Sequence, residues 1–309
     1  MPACPLVTVL LPVWNGASLP LTAGGEEPLR GAIRSLARQE PAPDAPVPSF
    51  EVLAVDDGST DGTAALLDAL AAEHPCLRVL HRPHEGLPGA LNAGLAAARG
   101  ALVARMDADD VCHPQRLALQ AAWMAAHPGT GLLATRVHFG GDRETARGFA
   151  HFVDWQNGLL DHEAISRNRF RDTPVSHPSV MFRRELPRLH GGYADGFFAE
   201  DWELWLRWLH AGVRMAKLPQ ELLVWNYPPR RATQPLLRGR QQPAARPLAG
   251  PLAGAPQPLA SAGLSAGRGQ GGTPPSGTPV GKRRAGGRLR GHRSQKDRAA
   301  GARRAGHRP

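Results

Sequence analysis

Twice in its N-terminal half the chain runs from a short apolar stretch straight into a group of aspartates. Residues 50–55 (FEVLAV) lead into Asp56-Asp57-Gly58-Ser59-Thr60-Asp61-Gly62, and residues 101–106 (ALVARM) lead into Asp107-Ala108-Asp109-Asp110. Apolar runs of this length, with β-branched residues, read as buried strands. Residues 6–11 (LVTVLL, ended by Pro12) and 77–80 read the same way, while 30–38, 63–74, 89–99 and 115–126 have helical spacing, the last opened by Pro114. Strands alternating with helices predict an α/β fold: a mostly parallel central sheet flanked by helices. Functional groups in such sheets gather beyond the carboxyl ends of the strands, so both aspartate groups are expected on one edge.

The second half is less regular between 129 and 190. A strand is expected at 179–183 (SVMFR), an amphipathic helix at 200–210 (EDWELWLRWLH) opening on a third acidic pair, Glu200-Asp201, and two short closing strands at 213–217 and 222–227. After Pro229 the composition changes. Gly, Pro, Ala and Arg dominate, with no Phe, Trp, Tyr or Ile and a single Val. Such a segment buries too little apolar area to offset chain entropy. The expected organisation is a folded domain over 1–230 and a disordered Arg/Gly/Pro-rich basic tail over 231–309, a composition that a shifted reading frame in a GC-rich gene also produces.

Charge follows the same division. The formal net charge is +10, but 231–309 holds 16 Lys+Arg and one acid, Asp297, leaving 21 bases and 26 acids for the rest. A basic, nucleic-acid-binding class is therefore excluded for the part that folds. The tail alone would hold phosphates without specificity, since it has no aromatics on which bases could stack. Three cysteines (Cys4, Cys76, Cys112) without a CxxC spacing exclude a disulfide scaffold or zinc ribbon. With no apolar run of about 18 residues and no basic segment before the first apolar stretch, neither a membrane span nor a signal peptide is expected, and the reading is a cytoplasmic protein.

Carboxylates that converge on one sheet edge repel one another unless a cation or hydrogen-bond donors offset them. Hard oxygen ligands select Mg²⁺ or Mn²⁺, which complete their shells with substrate phosphates, so a nucleotide diphosphate fits. Structural roles compete for two of the groups. Asp61 or Thr60 could cap the helix that follows, and Glu200-Asp201 could complement a helix dipole. Three acids in four residues after a strand exceed what a turn needs.

The stretch LPVWNG … FEVLAVDDGSTDGT … LHRPHEGLPGALNAGLAAARG … ARMDADDVCHPQRLALQ … HPSVMFRR … GGYADGFFAEDWELWLRWLHAG, over roughly residues 6 to 228, resembles glycosyltransferase family 2, most closely the bacterial members that build surface polysaccharides or glycolipids. The resemblance implies the GT-A fold and inverting transfer of a sugar from a UDP- or dTDP-type donor to a saccharide or lipid-linked acceptor. Mg²⁺ or Mn²⁺ would be required, and the enzyme would be cytoplasmic with a peripheral contact at the inner membrane face. It implies that Pro12 and Val13 hold the base, Asp57 bonds it, Asp107 lies near the ribose, Asp109 binds the metal and Asp201 is the catalytic base. His177, Glu200 and Trp202 fall on the acceptor side. Relatives often carry an Arg before the Asn of the 89–99 helix. Here Leu91 precedes Asn92, leaving Arg105 and His84 as candidates for the missing phosphate contact.

Three other functions compete. A phosphohydrolase of the haloacid dehalogenase type would use Asp107-Ala108-Asp109-Asp110-Val111, but that motif belongs on a first strand and needs a lysine, for which Lys217 is the one candidate before the tail. A nucleotidyltransferase would need a Gly-rich basic loop after the first strand. Binding of nucleic acid through the tail would be unspecific. The formal GxGxxG at Gly267, Gly269 and Gly272 follows no strand and opens no helix, so it carries no dinucleotide reading. His113 is a possible metal contact, Cys112 a packing residue, and Trp205 and Trp208 core.

Overall fold

The computed structural model describes residues 5–21 and 25–227; the tail expected over 231–309 and its GxGxxG lie outside the described residues. In chain order the elements are β1 (Val7–Val13), α1 (Pro28–Ala37), β2 (Phe50–Asp57), α2 (Thr63–Glu73), β3 (Leu77–Arg82), α3 (Gly86–Ala97), β4 (Leu102–Arg105), β5 (Val111–Cys112), α4 (Arg116–Ala126), β6 (Leu132–Gly140), α5 (Arg147–Asn157), α6 (His162–Asn168), β7 (Met181–Arg183), α7 (Glu185–His190), α8 (Glu200–His210) and β8 (Met215–Asn226). The strands form one sheet in the order β3-β2-β1-β4-β7-β6-β8-β5. β3, β2, β1 and β4 run parallel, β7 and β5 are antiparallel to their neighbours, and β6 and β8 pair in parallel.

Every residue of β1 is buried, which is why it reads as a continuous apolar run rather than an alternating one: both faces of the sheet are covered. Alternate residues serve the two faces. Val9 and Leu11 pack with Ile33 and Leu36 of α1, Leu67 of α2 and Met124 of α4. Leu10 packs on the other side with Leu91 of α3 and with Trp205 and Trp208 of α8. The two tryptophans are thus core, as their helical spacing predicted.

Two expectations need correction. The irregular stretch after residue 129 contains β6, a nine-residue strand between β7 and β8. The two short closing strands are one strand, β8, interrupted in its burial by exposed Pro219-Gln220-Glu221. Register shifts in its pairing with β6 at Thr135/Arg136 and Arg136/His138 accommodate that exposed stretch, so a polar segment that resembles a loop stays within the ladder.

Candidate active site

The first of the three groups is set by register. Val13 at the end of β1 lies opposite Asp56 on β2, and Pro12 opposite Val55, so both strands deliver their last residues to one place. Asp57 is buried there. Its Oδ1 accepts the Glu85 N–H at 2.8 Å and its Oδ2 the Gly86 N–H at 2.9 Å, while His84 Nδ1 lies 2.8 Å from the same Oδ2. The carboxylate therefore satisfies amides at the start of α3. Gly58 permits the approach: its φ is +65°, and a Cβ would stand 2.5 Å from the His84 nitrogen. Pro12, Val13, Trp14, Asp57, His84, Leu87 and Ala90 line a cavity of about 140 Å³. The Trp14 and His84 rings stack at 4.8 Å and 20°.

The neighbouring carboxylates do structural work. Asp56 accepts the Ser59 N–H and faces His81, which reaches on to Asp68. Burial alone would raise the Asp56 pKa, but Ser59 and His81 outweigh it and hold it below the usual range. Asp61 accepts the N–H of Thr63, the first residue of α2, and the N–H of Ser18; the N-cap of α2 is Gly62, so Asp61 bonds the helix start from one residue before the cap instead of capping it.

The second group follows β4. One oxygen each from Asp107, Asp109 and Asp110 lies within 4.8 Å of the others. Arg105 Nη2 approaches Asp107 Oδ1 at 2.6 Å. Asp110 is 1% exposed; its Oδ1 accepts the Asn226 N–H at 2.9 Å, and its Oδ2 has no hydrogen-bond partner among the described residues. Burial, then the charges of Asp107 and Asp109, push its pKa well up. An all-oxygen set with a buried, unpartnered carboxylate oxygen fits a hard divalent cation, which would offset that repulsion.

The third group is built on the first turn of α8. Asp201 Oδ1 accepts the N–H of Trp202 at 2.8 Å. Its pKa is pushed up to about 6 by burial and by the adjacent Glu200, against the opposing effects of the Trp202 amide and Arg105. His177 is buried, with Nε2 2.8 Å from the Tyr193 hydroxyl and Nδ1 3.8 Å from Glu200 Oε1. Burial and the nearby Arg105 drive its pKa well down, so the imidazole is neutral at physiological pH. Trp202 donates its indole N–H to the Arg169 carbonyl at 2.7 Å, pinning the loop after α6.

Pro12, Val13 and Asp57 thus line one cavity, Asp107 and Asp109 share the carboxylate cluster with Asp110, and Glu200, Asp201, His177 and Trp202 stand around the start of α8. Asp110 as a third donor, Trp14, Tyr193 and Asn226 escape sequence reasoning. Asp110 alone carried a signal, the third acid of the run. The clustered carboxylates are Asp107, Asp109 and Asp110, and His113 Nδ1 accepts the Gln115 N–H at 3.2 Å. Lys217 Nζ donates to the carbonyls of Gln156 and Pro174, so the dehalogenase reading loses its lysine.

The "Glycosyl transferase family 2" family model matches residues 8–187. The amylovoran biosynthesis glycosyltransferase AmsE of Erwinia amylovora is 30% identical over 179 residues, which are 56% of this chain and 63% of that protein. A UDP-Gal:alpha-D-GlcNAc-diphosphoundecaprenol beta-1,3-galactosyltransferase of Escherichia coli is 28% identical over 197 residues, 63% of this chain and 67% of that protein. The fold is similar to that of S. aureus TarS 1–349 in complex with UDP-GlcNAc, with a TM-score of 0.55 at 18% identity over 73% of this chain and 59% of that one.

Proposed function

The chain belongs to glycosyltransferase family 2, and on that premise we propose that it is a metal-dependent, inverting enzyme that moves a sugar from a UDP- or dTDP-type donor to a hydroxyl acceptor in the biosynthesis of a polysaccharide or glycolipid. The observation that carries the proposal is the placing of three chemistries around one sheet edge: the cavity at the ends of β1 and β2, the carboxylate cluster after β4 and the raised-pKa carboxylate of Asp201.

In this reading the cavity beside Asp57 takes the base. A carboxylate there favours a ring that presents an N–H, as uracil and thymine do. Asp107, Asp109 and Asp110 would hold Mg²⁺ or Mn²⁺, which supplies Lewis-acid stabilisation of the departing diphosphate. Asp201 accepts the proton of the acceptor hydroxyl as that oxygen bonds to the anomeric carbon and the bond to the nucleoside diphosphate breaks on the opposite face. A pKa of about 6 leaves Asp201 ionised at neutral pH yet basic enough to accept the proton. Neutral His177 and Tyr193 back Glu200 without adding a charge.

A lipid-linked acceptor is part of the proposal, supported by the name of the E. coli relative, and so are a cytoplasmic reaction and a peripheral contact at the inner membrane face. Among the described residues no helix is long and apolar enough to cross a membrane. The test of the whole reading is a panel of nucleotide sugars assayed with Mn²⁺ or Mg²⁺ for release of nucleoside diphosphate. Turnover of a UDP- or dTDP-sugar is expected. No turnover of any nucleotide sugar, with or without acceptor, would refute it. Fractionation at low salt tests the membrane contact.

A further inference from the structure

We propose that Lys217 and Gln156 are positioning residues that fix the segment 173–180, and with it His177, against Glu200 and Tyr193 on the acceptor side. The inference rests on the sugar-transfer reading above and adds two residues and a role to it.

The segment needs donors from outside. It reads Thr-Pro-Val-Ser-His-Pro-Ser-Val, and Pro174 and Pro178 bring carbonyls without N–H groups. Residues 174–180 are all buried, so their carbonyls depend on the protein for partners. A single tight turn at His177–Ser179 supplies two bonds from within: the Ser179 N–H to the Ser176 carbonyl at 3.0 Å, and the Val180 N–H to the His177 carbonyl at 3.4 Å. Buried side chains reach others. Gln156 Nε2 donates to the Thr173 carbonyl at 2.9 Å, and Lys217 Nζ to the Pro174 carbonyl at 3.2 Å. Ser176 Oγ donates to Gln156 Oε1, and Lys217 Nζ donates also to the Gln156 carbonyl. At the other end Gln120 Nε2 donates to the Ser179 carbonyl at 3.0 Å, and Arg116 Nη2 to the Val180 carbonyl at 3.4 Å.

Arg116 and Gln120 of α4 therefore hold the end that pairs with β4, while Lys217 of β8 and Gln156 of α5 hold the end that leads into His177. Lys217 is buried, and among the described residues its ammonium meets carbonyls and no carboxylate. A cation so placed is costly, and methionine would fill much the same space without the charge. Burial and the Arg136 charge push its pKa down to about 7, yet either form keeps hydrogens for both carbonyls. The brace meets the site at His177, whose ring stands 2.8 Å from the Tyr193 hydroxyl and 3.8 Å from Glu200. The side-chain bonds of Lys217 and Gln156 end on this segment and on each other, so the donor cavity and the carboxylates after β4 stand outside the brace.

The experiment compares full-length parent, Lys217→Met and Ser176→Ala in two readouts. The first is release of nucleoside diphosphate from the nucleotide sugar that the parent turns over, with kcat and donor KM separated. Lys217→Met should lower kcat by about 10–10²-fold, the cost of misplacing a group from a distance, and leave donor KM at the parent value. Ser176→Ala cuts the Gln156 side-chain grip alone and should lower kcat by roughly two- to tenfold, the worth of one hydrogen bond, again with parent KM. A parent kcat in Lys217→Met, or a rise in donor KM that matches the fall in kcat, overturns the proposal. Should Lys217→Met fail to fold, Ser176→Ala decides: lowered kcat at parent KM supports the role, and parent kcat overturns it. The second readout is the nuclear magnetic resonance of the His177 ring protons, identified by their absence in His177→Gln. They should shift in the same two variants, and unmoved signals overturn the role. Failure of the sugar-transfer reading is distinguishable: the parent would turn over no nucleotide sugar, while shifted His177 signals would still support the brace.

Discussion

The backbone N–H of Asn226 donates to the buried carboxylate of Asp110 at 2.9 Å, across a separation of 116 positions. The Asn226 side-chain amide also donates to the Asp109 carbonyl at 2.5 Å. The last residue of β8 thus braces the turn that carries the carboxylate cluster. Asn226→Ala removes the side-chain bond and should destabilise the fold by roughly 1–3 kcal/mol. The apparent Mn²⁺ requirement and donor KM should both rise, with kcat less affected. Titration of activity with Mn²⁺ checks this, and an unchanged metal requirement would mean that β8 does not brace the cluster.

Asp201→Asn retains shape and removes the base. A loss of about 10²–10⁴ in kcat is expected, the usual contribution of general-base catalysis, with donor binding nearly unchanged. Normal transfer by this variant would move the base elsewhere, with Glu200 the first residue to test.

The same carboxylate predicts the pH dependence. With a pKa of about 6, activity should fall as pH drops through about 6 and Asp201 protonates. Stability should run the other way. The folded-state pKa lies above the ordinary carboxylate value, so the folded state binds the proton more tightly. The stabilisation is greatest below about pH 4 and is lost as pH rises to about 6, by roughly 1–3 kcal/mol. Asp201→Asn should therefore melt higher than the parent at neutral pH and no higher near pH 4. Thermal melts across that window measure it, and a variant that is less stable at neutral pH contradicts the assignment.

The two walls of the base cavity should respond differently. Asp57→Ala removes both the cavity's carboxylate and the acceptor for two α3 amides, so donor affinity and melting temperature should fall together. Trp14 is 54% exposed and stacks on His84, so Trp14→Ala should weaken donor binding and leave melting nearly unchanged. Calorimetric titration with UDP beside a melt separates the two effects.

Chelation should abolish turnover, and added Mn²⁺ or Mg²⁺ should restore it. Asp109→Asn and Asp110→Asn should each raise the metal concentration required, because each contributes an oxygen to the same cluster. Full activity in EDTA would remove the metal from the mechanism.

Much of the site could be read along the chain because its carriers sit where local rules put them. Asp57 and Asp107 end or follow apolar strands, and Glu200-Asp201 opens a helix whose apolar spacing is plain. What could not be read depends on partners far away in sequence. β6 was hidden because its first four residues are all buried and only the rest alternate, so no single period runs through it. β8 was split because Pro219-Gln220-Glu221 resembles a turn. Trp202, expected on the acceptor side, also anchors the Arg169 carbonyl through its indole N–H.

The sequence by itself determined the parallel half of the sheet, the carboxylates at its edge and the family, since all three rest on patterns within a few residues. Tertiary structure alone decided which partners each acid meets. Asp56 and Asp57 end β2 and Asp61 lies in the turn that follows, but His81 and Ser59 claim the first, the α3 amides and the adjoining cavity the second, and Thr63 with Ser18 the third. The same holds for Asp201 and Asp110, whose pKa values depend on burial and on neighbouring charges brought in by folding. A carboxylate's type is written in the chain, but its dielectric surroundings and its partners exist only once β4, β8 and α8 have packed together.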